Sequence, residues 1–121
     1  MKYLITDDSK IARKFVLNAL TKFVSDDDVI LQASNGEEAI SIYKEHKPDL
    51  CFMDLTMPLM DGFEATLNIC NFDKNAKVII ISADVQQSAV VKAKEYGAIG
   101  FINKSIDKIK MKDILTKLGY I

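Results

Sequence analysis

Val78, Ile79, Ile80 and Ile81 follow one another with no polar residue between them. Successive side chains of a strand point to opposite faces of its sheet, so an unbroken apolar run needs cover on both faces. That environment is a parallel sheet packed between two layers of helices. Short apolar stretches at Lys2–Thr6, Val29–Ala33, Leu50–Met53 and Gly100–Ile102 repeat the theme, and longer segments of helical period separate them. Five strand-then-helix units predict a doubly wound (βα)5 sandwich of three layers around a five-stranded parallel sheet.

The first helix places Ile11, Ala12, Phe15, Val16, Ala19, Leu20, Phe23 and Val24 on one face. Lys10, Arg13, Lys14, Asn18, Thr21 and Lys22 fall on the other, and Leu17 is the exception. Asn35 is placed to cap a second helix, with Glu37 and Glu38 in its positive first turn and Pro48 forcing a stop beyond its end. A third helix is expected from about Gly62 to Asn71, burying Phe63, Leu67 and Cys70. The fourth, near Gln86 to Tyr96, offers only the small face of Ala89, Val90 and Ala93 before Gly97 stops it. The last begins near Asp107, carries Ile109, Ile114, Leu115 and Leu118, and ends at Gly119.

A chain of 121 residues supports one core, so residues 1–121 are expected to form one domain with no separate output domain. Its 16 basic and 17 acidic residues are interspersed, which gives no global field toward nucleic acid or a membrane. Asp7 and Asp8 cut short the opening MKYLIT, and no later run reaches membrane-spanning length. A cytoplasmic protein is expected. Cys51 and Cys70 lie in apolar segments without metal-ligand spacing and read as buried free thiols. His46, the sole histidine, suits the C-terminal end of the second helix.

In doubly wound sheets ligands gather at the carboxyl ends of the strands. Asp7 and Asp8 follow the first strand, Asp54 ends the third, Ser82 ends the fourth with Ala83 after it, and Lys104 follows the fifth. Each has a plainer explanation alone: acidic residues favour helix starts, and a strand-end Ser or a loop Lys is ordinary. Together, three carboxylates at one edge repel unless a cation offsets them. Mg²⁺, held by Asp7, Asp8 or both, suits such oxygen ligands. The set favours phosphoryl transfer to a carboxylate, with Asp54 as nucleophile, Lys104 as a second cation and the Ser82 hydroxyl bonding a phosphoryl oxygen.

On these residues the chain resembles the receiver domains of response regulators, most closely the stand-alone chemotaxis type. Asp54-Leu55-Thr56-Met57-Pro58-Leu59-Met60-Asp61-Gly62 looks like that family's D-x-x-M-P-x-M-D-G segment around its phosphoacceptor. Asp7-Asp8, Ser82-Ala83 and Lys104 sit where the family has its acidic pair, its Ser/Thr with a small residue, and its Lys. The resemblance implies a flavodoxin-like fold with strand order 2-1-3-4-5 and a metal set of Asp7, Asp8, Asp54 and the Thr56 carbonyl. It further implies Phe101 as an aromatic that changes rotamer when Ser82 moves, though a plain sheet residue would also account for it. By the same resemblance, Thr56 and Asp84 stand at positions that in the family border the path of the hydrolytic water, which implies that they tune phosphoryl lifetime. Ser105 departs from the family's usual Pro after the Lys, which leaves that loop either strained or on a trans path.

The implied partners are a sensor histidine kinase as phosphodonor and a downstream protein bound through helix four, strand five and helix five. No nucleic acid or membrane insertion is implied, and a monomer is expected. That face carries Lys92, Lys94, Lys108, Lys110, Lys112 and Lys117, which suit an acidic or mixed patch on the partner or are simply solvated. The chain would be a signalling switch that catalyses its own phosphorylation, not an enzyme turning over a separate substrate. A phosphatase with an Asp nucleophile would want a second Asp where Thr56 stands, and a flavodoxin's phosphate would be repelled by Asp7-Asp8. A phosphorelay intermediate and a phosphorylation-independent binding module stay open.

Overall fold

The computed structural model describes residues 1–83, 86–104 and 106–121. Strands and helices alternate from the first residue: β1 (Lys2–Thr6), α1 (Lys10–Leu20), β2 (Val29–Ala33), α2 (Gly36–His46), β3 (Leu50–Asp54), α3 (Gly62–Phe72), β4 (Val78–Ser82), α4 (Gln87–Glu95), β5 (Gly100–Asn103) and α5 (Lys108–Lys117). All strands pair in parallel in the order β2-β1-β3-β4-β5. The strand order, layers and fold class expected from the sequence are those observed. Every residue of β3 and β4 is buried, as their unbroken apolar runs require, whereas β2 and β5 form the half-exposed edges.

The pleat divides the core in two. Leu4, Cys51, Met53, Val78 and Ile80 face Ala39 and Tyr43 of α2, Ala65 and Ile69 of α3, and Ala89 and Ala93 of α4. Tyr3, Ile5, Leu50, Phe52, Ile79 and Ile81 face Val16, Ala19 and Leu20 of α1 and Met111 and Leu115 of α5. Four helices begin on a side-chain cap: Ser9, Asn35, Asp61 and Asp107 accept hydrogen bonds from the N–H groups of Ala12, Glu38, Glu64 and Lys110. Lys47 closes α2 in the left-handed region at φ 44°, and Pro48 follows it.

Local expectations shift in several places. β3 and β4 end at Asp54 and Ser82 as expected, whereas β5 runs one residue beyond its apolar run, to Asn103, which still pairs with Ser82. α1 ends at Leu20, and Ile11 and Phe15 are 72% and 61% exposed, since the sheet contacts a narrower arc than the apolar face offers. In α5, Ile109 is 78% exposed and Met111 takes the core position with Leu115, one turn on. Within α3 the buried residues are Gly62, Ala65, Thr66 and Ile69; Phe63 and Cys70 pack only partly, and Leu67 is half-buried. Cys51 is a buried free thiol as expected, while Cys70 is half-buried and its thiol lies 3.6 Å from the Gly97 carbonyl. Among the described residues no helix is long and apolar enough to cross a membrane.

Candidate functional site

Parallel strands of near-equal length end at one edge, and the register brings their last residues level. Thr6 pairs with Met53, Asp54 with Ile81, and Ser82 with Asn103. Asp7 therefore emerges beside Asp54, and Lys104 leaves β5 one residue beyond Ser82, its N–H donating to the Ser82 carbonyl at 2.7 Å. The β3–α3 turn is tight. A Cβ at Gly62 would collide with the Asp54 carbonyl, so only glycine lets α3 start this close to the strand end.

Asp7 and Asp54 are buried, and both meet the same cation: Lys104 Nζ lies 3.2 Å from Asp7 Oδ2 and 3.2 Å from Asp54 Oδ1. Asp8 is exposed at the rim. Burial, and after it the charge of Asp7, pushes the Asp54 carboxyl above the usual carboxylate range; Lys104 pulls it back only in part. For Lys104 burial acts to lower the ammonium, but the hydrogen bond and charge of Asp54, then of Asp7, outweigh it and hold the group above its usual value.

Each of Asp7, Asp8 and Asp54 offers a carboxylate oxygen, all within 4.8 Å of one another. One ammonium cannot balance three carboxylates, and the donors are all hard oxygens, so the set fits a divalent cation such as Mg²⁺. Above it opens a cleft of about 380 Å³ lined by Asp8, Asp54, Thr56, Ser82, Ala83 and Lys104. The expected site residues thus converge, with two exceptions. Phe101 sits within β5, half-buried against the layer that contains α4. Asp84 and the Lys104–Ser105 peptide lie outside the described residues.

The helical pattern puts Arg13 on the polar face of α1. Instead its guanidinium folds back to the site, with Nη1 donating to the Asp7 carbonyl at 2.6 Å and Nε to Gln32 Oε1 at 3.0 Å. Helical side chains lean toward the N-terminus, so an Arg one turn into a helix that follows a site loop is the signal that could have found it. Lys92 also departs from expectation. Its Nζ lies 4.5 Å from the Phe63 ring centre and 5.5 Å from that of Tyr96, which commits it to the α3–α4 junction.

Residues 3–116 match the response regulator receiver domain family. The chain is 39% identical over 118 residues to the chemotaxis protein CheY of Thermotoga maritima, covering 98% of this chain and 97% of the relative. To the chemotaxis protein CheY of Listeria monocytogenes it is 42% identical over 117 residues, covering 97% of each. Among solved structures, a chain of the CheX–CheY–BeF3–Mg²⁺ complex from Borrelia burgdorferi superposes with a TM-score of 0.87 at 36% identity, over 98% of this chain and 89% of that one. The receiver domain of NarL from Mycobacterium tuberculosis gives 0.86 at 27% identity, over 98% and 95%.

Proposed function

This chain belongs to the response regulator receiver domain family, a family of signalling switches, and on that premise we propose that it takes a phosphoryl group onto Asp54 in a Mg²⁺-dependent step. The observation that carries the reading is Lys104 Nζ bridging the carboxylates of Asp7 and Asp54 at 3.2 Å each, at the floor of an open cleft. Asp54 is the nucleophile: a carboxylate oxygen forms the new O–P bond as the P–N bond to the donor histidine breaks, and the imidazole keeps that electron pair. Lys104 offsets charge on the transferring group, and the Ser82 hydroxyl, at the cleft wall, donates to a phosphoryl oxygen once the group is in place. Asp7, Asp8, Asp54 and the Thr56 carbonyl would hold Mg²⁺, which supplies further offset of phosphoryl charge. Thr56, which lines the cleft, would border the approach of water and tune the phosphoryl lifetime, and Asp84, two residues after Ser82 in the sequence, is the second candidate for that role.

The phosphodonor in this reading is a sensor histidine kinase, and the signal leaves through α4, β5 and α5 to a downstream protein as Ser82 and Phe101 shift. Residues 1–121 act as one receiver unit, a cytoplasmic monomer that catalyses its own phosphorylation. Similarity to chemotaxis proteins along nearly the whole chain favours chemotaxis signalling over a phosphorelay intermediate. Of the six lysines on that face, Lys94, Lys108, Lys110 and Lys112 are exposed and suit an acidic partner patch, whereas Lys92 is engaged with aromatic rings and Lys117 pairs with Asp113 at 3.1 Å. Intact mass after incubation with a small acyl phosphate tests the chemistry. A single Mg²⁺-dependent phosphoryl adduct that Asp54→Asn lacks is expected; a folded native chain without one would leave a phosphorylation-independent binding module as the better reading.

A further inference from the structure

Asp7 is held at every polar handle of its residue. Its N–H donates to the Ala33 carbonyl at 3.1 Å, Oδ1 accepts from the Ser9 N–H at 2.9 Å, and Oδ2 meets Lys104 at 3.2 Å. Its carbonyl accepts from Arg13 Nη1 at 2.6 Å. Asp8 is different: its exposed carboxylate makes no hydrogen bond or ion pair among the described residues, so only its own backbone aims it. The peptide plane carrying the Asp7 carbonyl also carries the Asp8 nitrogen and Cα. Whatever fixes that carbonyl therefore fixes the origin of the Asp8 side chain.

Arg13 is itself braced. Its Nε is held by Gln32 on the edge strand β2, 3.0 Å away, while its own backbone N–H makes the opening bond of α1 to Ser9 at 3.0 Å. A planar guanidinium tied in two directions cannot swing without breaking a bond, which a flexible ammonium could do freely. We propose that Arg13 is a positioning residue for the divalent-cation site: braced by Gln32, it locks the Asp7–Asp8 peptide so that both carboxylates converge with that of Asp54. The proposal rests on the reading of that cleft as a Mg²⁺-dependent phosphoryl acceptor.

The test is calorimetric titration with MgCl₂ of the native chain, Arg13→Gln, Arg13→Lys and Gln32→Ala, alongside phosphorylation by a small acyl phosphate at rising Mg²⁺. Residues that orient metal ligands typically change affinity by about 10- to 100-fold, so Arg13→Gln and Arg13→Lys should each weaken Mg²⁺ about tenfold. Gln32→Ala, at an exposed position, should weaken it in the same direction by less. The phosphorylation rate at saturating Mg²⁺ should stay near native while half-saturation shifts. A lowered melting temperature in EDTA with unchanged Mg²⁺ affinity would make Arg13 merely structural and overturn the proposal. Native affinity in Arg13→Lys would also overturn it, by showing that charge alone suffices. Should Arg13→Gln fail to fold, the other two variants decide. A native chain that neither binds Mg²⁺ nor forms the adduct would instead sink the parent reading.

Discussion

At the scale of single residues, Asp54 carries an electrostatic cost that its function would explain. Burial and the neighbouring Asp7 raise its carboxyl, so the folded chain holds that proton more tightly than the unfolded chain does. Below the ordinary value of 3.8 the group is neutral in both states and favours neither. As pH rises from there through the raised folded value, the unfolded state loses its proton first and folding is progressively opposed. Asp54→Asn is therefore expected to be more stable than the native chain at pH 7 in EDTA, with the two curves converging at acid pH. Urea denaturation at both pH values checks this, and a variant less stable at pH 7 would contradict it. Gly62 is the opposite kind of residue, since a side chain there has nowhere to go. Gly62→Ala should cost about 1–3 kcal/mol through the forced shift of the β3–α3 turn, read as a lower denaturation midpoint at unchanged m-value.

Among the elements, α1 and α5 separate apolar character from burial. Ile11, Phe15 and Ile109 are apolar yet exposed, while Val16, Leu20, Met111 and Leu115 seal the layer over Tyr3, Ile5 and Phe52. Phe15→Ser and Ile109→Ser should thus change stability by no more than about 0.5 kcal/mol, whereas Leu115→Ala should cost about 2–5 kcal/mol. Equal losses in thermal denaturation would mean that the apolar face of α1 is buried after all. Helix α2 shows how strongly a cap matters to a short element. Asn35 accepts the Glu38 N–H at 2.8 Å and fixes the start of the helix that covers Leu4 and Met53. Asn35→Ala should lower stability by about 1 kcal/mol, and Asn35→Ser, which restores an accepting oxygen, should recover most of it.

On the scale of the whole molecule, the central strands β3 and β4 are buried on both faces, and the described site residues gather at the carboxyl edge of the sheet. Cys51, in the middle of β3, reports on that seal: it is fully buried, and burial pushes its thiol up to about 12. Its reaction with a thiol reagent at pH 8 should therefore proceed only through unfolding, with a rate that follows global stability across urea concentrations. Modification that is fast and independent of stability would show that the β3 layer opens locally. The half-buried Cys70, next to Gly97, serves as the faster internal comparison.

The sequence by itself determined the alternation of strands and helices, the two-sided burial of β3 and β4, and the place of Asp7, Asp8, Asp54, Ser82 and Lys104 at strand ends. Those features follow from local periodicity and from chain position relative to it, both of which a linear reading contains. The strand order was legible only through family resemblance, because periodicity says which segments are strands but not which lie side by side. Tertiary structure alone decided that Ile11 and Phe15 stay outside the core, because the width of a helix's contact with the sheet depends on its neighbours and not on its own pattern. It also decided that Arg13 turns back onto the Asp7 carbonyl and that Lys92 settles over Phe63 and Tyr96. Long cationic side chains can reach several partners, and only the packed molecule fixes which of them lies within hydrogen-bonding or ring-contact distance.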